Sequence, residues 1–280
     1  AGCGGAKKTA ANKDTLRFGV TNFADTLEPT DNYFGWVVMR YGLGECLVKF
    51  DKKVNYAAWL ADKWQIAPNK LTWTFHINDK SKFSNANKVT AAAVKSSLER
   101  TFEKSKRAKT FFEYTTMTAD GQNLVIKTKT PVPGMPGMLA DPLFIIIDTS
   151  VKDRDYAKMG PICTGPYAVK SYSKAKAVMT ANPNYWDGTV PFKTVEIPTI
   201  DDPNTRAMAL QSGEVDMIIN VSPADLTLFK DGKKFKTSEI ASLRTVLARL
   251  NSAPGHVLND KVVREALISA CDRKKKKKKL

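Results

Sequence analysis

Hydrophobic positions along the chain form short alternating runs, one short continuous run and several helical spacings, interleaved from end to end. Leu16-Arg17-Phe18-Gly19-Val20 alternates and predicts an opening strand. Val37-Val38-Met39 and Tyr41-Gly42-Leu43 read as helical. The cleanest strand is Leu71 to Asn78, with Trp73, Phe75 and Ile77 on one face and Thr72, Thr74, His76 and Asn78 on the other. Thr90 precedes a helix to about Glu103 that carries Ala91, Val94, Leu98 and Phe102 on one side, and its hydroxyl suits the N-cap. Leu124 to Thr128 is another strand, and the three prolines between Pro131 and Pro136 require a turn-rich connection. Leu143-Phe144-Ile145-Ile146-Ile147 is apolar throughout, fit for a buried strand or the wall of a cleft. Thr194 to Ile197 then predicts a strand. A helix follows, with Asp202 as cap and Pro203 at its first position, where a missing N–H costs nothing; it stops at Gly213. Val215 to Ile219 reads as a buried strand. A last helix, Asp260 to Cys271, sets Cys271 among Val263, Ala266, Leu267 and Ala270 as a small core residue. The strand–helix–strand order implies an α/β fold.

With 280 residues, 42% of them hydrophobic, the chain is long enough for one large or two modest domains and can bury a core. No apolar run approaches the ~20 residues of a membrane-spanning helix. The charge of +16 is uneven: Arg273 to Lys279 holds seven consecutive cations, and without them 37 basic residues face 28 acidic ones, leaving +9. That run has no interleaved aromatics, so it reads as a solvated tail and no nucleic-acid partner is expected. The distributed +9 suits an anionic surface such as a cell envelope.

The sequence contains no GxGxxG, GxxxxGK[ST] or GxSxG. His76 falls on the polar face of its strand and His256 in a loop with no nearby acidic or thiol partner, so neither supports a catalytic triad. No enzyme activity, cofactor or metal site is expected. The four cysteines lack zinc-ligand spacing. Cys46 and Cys163 either pair in an oxidising compartment or remain buried thiols. Cys3 differs: Ala1-Gly2-Cys3-Gly4-Gly5 followed by a polar stretch to Lys13 looks like the end of a lipoprotein signal, with Cys3 acylated and residues 1–13 as a tether.

Seven separated segments, in order, resemble the solute-binding proteins of peptide and nickel ABC importers. They are Trp59-Leu60-Ala61-Asp62-Lys63-Trp64 with Leu71 to Ile77; Lys82-Phe83-Ser84-Asn85 with Val89 to Val94 and Ser97 to Arg100; and Thr164-Gly165-Pro166-Tyr167. Asn182-Pro183-Asn184-Tyr185-Trp186 and Asp202 to Arg206 with Gly213 to Asp216 follow, and Leu250-Asn251, Val263 to Leu267 and Cys271-Asp272-Arg273 close the set. The resemblance implies a two-lobed, periplasmic-binding-protein type of α/β fold, with the first lobe and an inserted subdomain present and the second lobe largely missing. The first lobe would be discontinuous, 14–55 and 160–245, with the insertion at 56–160 and the crossing to the second lobe within 246–280.

That family captures a solute between its lobes and delivers it to an ABC permease in the membrane, outside the cytoplasm, lipid-anchored or periplasmic. For this chain the resemblance implies short peptides as solute, with a nickel chelate as the alternative in the same family, and a monomer. A structural envelope lipoprotein without a transported solute is the reading from another class. Positions matching the family's cleft-facing segments are Tyr33, Phe34, Trp36 and Arg40, then Phe111 and Phe112, then Leu143 and Phe144. Arg40 has the planar fork for a carboxylate, or else makes a surface ion pair; the aromatics either line the cleft or pack the core.

Overall fold

The computed structural model describes residues 14–21, 24–230, 232, 234–239 and 247–271. Cys3 with its 1–13 tether and the cationic run from Arg273 lie outside the described residues. Two compact units divide the chain, residues 1–228 and 229–280. In the first, the elements run β1 (Thr15–Gly19), α1 (Gly35–Arg40), β2 (Val48–Phe50), β3 (Tyr56–Ala58), β4 (Ala61–Ile66) and β5 (Thr72–Ile77). Then come α2 (Ala91–Lys104), α3 (Ala108–Phe111), β6 (Thr116–Asp120), β7 (Asn123–Lys127), α4 (Met135–Met138) and α5 (Tyr156–Met159). β8 (Tyr167–Tyr172), β9 (Lys176–Ala181), β10 (Thr194–Pro198), α6 (Pro203–Ser212) and β11 (Met217–Ile218) follow.

Two sheets organise this unit. The first has strand order β11-β1-β10-β9-β8. β1 runs parallel to both β10 and β11, so its two neighbours arrive by crossovers from much later in the chain. β10, β9 and β8 form an antiparallel meander. The second sheet is fully antiparallel, β4-β5-β7-β6. In β5 the alternation resolves as expected: Trp73, Phe75 and Ile77 are buried, while Thr72, Thr74 and His76 are half-buried. His76 Nδ1 lies 2.7 Å from Asp62 Oδ1 on the neighbouring strand.

α2 covers β6 and β7, and its start follows from Thr90, whose Oγ1 accepts the Ala93 N–H at 3.1 Å. α6 begins where Asp202 Oδ1 accepts the Thr205 N–H at 2.7 Å, and ends at Gly213 in the left-handed region, φ +80°. Arg206, buried within α6, has no side-chain acceptor among the described residues: its guanidinium donates to the Ile200, Asp201, Ile219 and Asn220 carbonyls. It therefore ties the segment leaving β10 to the segment leaving β11.

Leu143 to Ile147 forms neither of the expected alternatives in full. Pro142–Phe144 is a 3₁₀ turn, and the extended residues after it join no sheet. Their N–H groups are satisfied singly: Ile146 donates to the Glu45 carbonyl, Ile147 to Ser97 Oγ and Asp148 to the Ile162 carbonyl. All five apolar side chains are buried because the segment lies between two cores. Leu143, Phe144 and Ile146 enter the cluster of Phe75, Leu98, Leu124 and Ile126, whereas Ile145 and Ile147 enter that of Phe18, Val38, Met179 and Val195. Burial on both sides is what removes the polar alternation.

Two further expectations are corrected. Of Val215 to Ile219, only Met217–Ile218 joins the sheet, at an edge where Met217 is exposed. In the second unit, α7 (Lys261–Ala270) begins as expected, with Asp260 Oδ1 accepting the Val262 N–H at 2.8 Å, but it buries none of its residues, and Cys271 is exposed instead of packed. Cys46 and Cys163 are buried and unpaired. Burial pushes both thiols up, and the Cys46 thiol donates to the Asp141 carbonyl at 3.4 Å.

Candidate functional site

The site is assembled by a close approach of backbones. α1 starts at Gly35, where a Cβ would overlap the Pro142 carbonyl; only glycine lets the helix press against the 3₁₀ turn there. That turn is fixed by Asp141, whose Oδ1 accepts the Leu143 N–H at 2.8 Å. Residues 33–40 and 141–144 thus meet, and α3 completes the group through an edge-to-face contact of Phe111 on Phe144, ring centroids 5.3 Å apart.

The eight predicted positions separate by depth. Phe34, Phe112, Leu143 and Phe144 are buried, so core packing is what the structure gives them. Phe102, Phe112 and Phe144 pack into one aromatic core through edge-to-face and tilted contacts. Phe111 and Arg40 are half-buried. Tyr33 and Trp36 are 60% and 48% exposed. Arg40 closes the last turn of α1, beside Tyr41, whose phenol is pushed up to about 12 by burial.

A cation does sit among these aromatics, but it is Arg107, directly before α3. Its guanidinium carbon lies 4.5 Å from the Tyr33 ring centroid and 5.6 Å from that of Phe111. One terminal nitrogen approaches Asp141 Oδ1 at 3.6 Å, too long for a tight bidentate pair. Its Nε is buried and has no hydrogen-bond partner. The guanidinium is thus flanked by two rings, one of them the exposed Tyr33, with its Nε buried and only a long contact to Asp141. In the sequence Arg107 stands among Lys104, Lys106 and Lys109, which reads as solvated charge. The available signal was that it is the one arginine in that stretch, four residues before the Phe111-Phe112 pair, one helical turn away.

A second polar centre stiffens the floor. Glu45 is buried, with Oε1 accepting the Trp59 indole N–H at 2.9 Å and Oε2 accepting the Trp186 indole N–H at 2.8 Å and the Thr164 hydroxyl at 2.7 Å. Burial pushes its carboxyl above the ordinary value even against these three donors. Its carbonyl accepts Ile146, so this centre also braces the 143–147 segment.

The mixed first sheet and the antiparallel second sheet, each with its own core, define an α/β fold of the binding-protein type. The family model for bacterial extracellular solute-binding proteins, family 5, matches residues 55–280, and the chain belongs to that family. The nickel-binding protein NikA of Staphylococcus aureus is 31% identical over 238 residues, 85% of this chain and 48% of the relative. The probable D,D-dipeptide-binding periplasmic protein DdpA of Escherichia coli is 28% identical over 281 residues, 94% of this chain and 54% of the relative. Among solved structures, Staphylococcus aureus NikA in complex with Ni(L-His)2 superposes with a TM-score of 0.73 at 28% identity, covering 79% of this chain and 46% of that one. The chain spans about half the length of the curated relatives it matches.

Proposed function

We propose that this chain captures a small carboxylate-bearing solute outside the cytoplasm and passes it to an ABC permease, with Arg107, Tyr33, Trp36 and Phe111 forming the contact surface on this part of the protein. The observation that carries the reading is the Arg107 guanidinium, set over the Tyr33 and Phe111 rings with no tight carboxylate partner among the described residues. The Arg107 side chain keeps 23% of its surface, and a carboxylate arriving at that exposed edge gains a charge-assisted hydrogen bond that the 3.6 Å contact with Asp141 does not supply.

Two solutes present such a group. A nickel chelate of a small amino-acid ligand has carboxylates on a compact, ring-bearing body that Tyr33 and Trp36 can pack against, and the relatives named for nickel support this choice. A short peptide offers its C-terminal carboxylate, and the dipeptide-binding relative supports that second reading. In either case a solute that touches two lobes binds the closed state better, and that difference drives closure. We further propose residues 14–55 with 160–245 as one lobe and 56–160 as its insertion; the two separate buried cores support that division. The lipid anchor on Cys3 belongs to the same proposal.

Isothermal titration with a nickel–histidine chelate and with a short peptide tests the assignment. The account expects Arg107→Met to weaken the bound solute about 30-fold, the loss of a charge-assisted hydrogen bond of about 2 kcal/mol. Binding unchanged in Arg107→Met would move the site elsewhere.

A further inference from the structure

Residues 49–56, the turn and flanks of the β2–β3 hairpin, are all exposed. Phe50 and Tyr56 sit directly opposite each other across the ladder, centroids 5.5 Å apart, and remain 47% exposed each. Val54 at the tip is 63% exposed and has φ +66°, a left-handed conformation that a β-branched side chain rarely adopts. Asp51 is turned inward: Oδ1 accepts the Lys53 and Asn55 N–H groups at 2.7 and 2.8 Å, and Oδ2 accepts Asn55 Nδ2 at 3.1 Å. The carboxylate is thereby used to shape the turn. Lys52 and Lys53 have no carboxylate partner among the described residues, while Lys49 rests over the Trp59 ring at 5.5 Å. The Tyr56 ring lies against Gly137 of α4, where a Cβ would come within 2.8 Å of it, so the hairpin is braced from behind.

We propose that this hairpin docks on an anionic lipid surface, with Phe50, Val54 and Tyr56 entering the interface and Lys52 and Lys53 meeting lipid phosphates. Exposed aromatics with a polar edge prefer the headgroup level, and unpaired lysines are drawn to anionic leaflets. Eight consecutive exposed residues on one short hairpin suit a soft surface better than a flat protein interface, which needs about 800 Å² from each partner. The inference is independent of which solute the chain carries.

Flotation of the full chain with vesicles of phosphatidylglycerol and phosphatidylcholine, against phosphatidylcholine alone, tests it. Lys52→Glu/Lys53→Glu is expected to lower binding to anionic vesicles at least about tenfold, since each surface lysine is worth roughly fivefold. Phe50→Ser/Tyr56→Ser should lower it too. If that pair disturbs folding, Val54→Asn removes the apolar tip at a backbone angle that asparagine tolerates. A variant with Lys274 to Lys279 changed to serine removes the tail's own attraction and should keep the dependence on the hairpin. Equal binding by parent and hairpin variants, loss with the tail variant alone, or hairpin-dependent retention only on vesicles carrying a reconstituted membrane protein would each overturn the proposal.

Discussion

Buried charge decides most at the scale of single residues. Glu45 satisfies three donors that have no alternative acceptor in the hydrogen-bond pattern, two of them indoles from opposite ends of the unit's sequence. Replacing it with alanine leaves those donors unpaired and should cost about 3 kcal/mol of stability. Chemical denaturation followed by tryptophan emission checks this, with a shifted native-state spectrum as its companion.

Glu28 works in the opposite sense. Burial alone would push its carboxyl up, but Arg100 at 2.6 and 3.0 Å and the Thr30 hydroxyl outweigh burial and hold it below its ordinary 4.5. A native carboxyl held low stabilises fully above the unfolded value and loses that contribution as pH falls through the native one. Arg100→Met should therefore destabilise by about 2 to 4 kcal/mol at pH 7, and the gap to the parent should narrow steadily below about pH 4.5. Melts across that range are the measurement.

Elements were legible in the sequence where period and cap chemistry agree. β5 has strict alternation of bulky and polar residues, and α2 and α6 each pair an N-cap with a clear stop or face. The meander β8–β9 was not legible, because Ala177 and Met179 supply its buried face with residues that carry little strand preference. Leu143 to Ile147 announced burial but not its geometry, since a run buried on both sides loses the period that separates strand from loop. Of the aromatics read from the sequence, Phe34, Phe112 and Phe144 proved to be core, and Tyr33, Trp36 and Phe111 keep the surface that the proposed site uses. Its cation was not legible, since the contact of Arg107 with Tyr33 is created by α1 closing on Pro142, a relation between distant segments. Arg206 is the comparable case in the first sheet. Lysine there keeps the charge but cannot span four carbonyls on two strand exits, so Arg206→Lys should cost about 2 to 3 kcal/mol in denaturant unfolding.

For the whole molecule, the family assignment and the Arg107 guanidinium set over two rings support the proposal made above, that this stretch offers an aromatic-flanked wall to a carboxylate-bearing solute. The account is sharpest about what the solute must carry. Purification of the protein from its host without added ligand, followed by native mass spectrometry, examines that directly. A carboxylate-bearing small molecule or its nickel complex is predicted on the parent protein and should be strongly depleted from Arg107→Met. An occupant without a carboxylate, or one retained equally by the variant, would contradict the account.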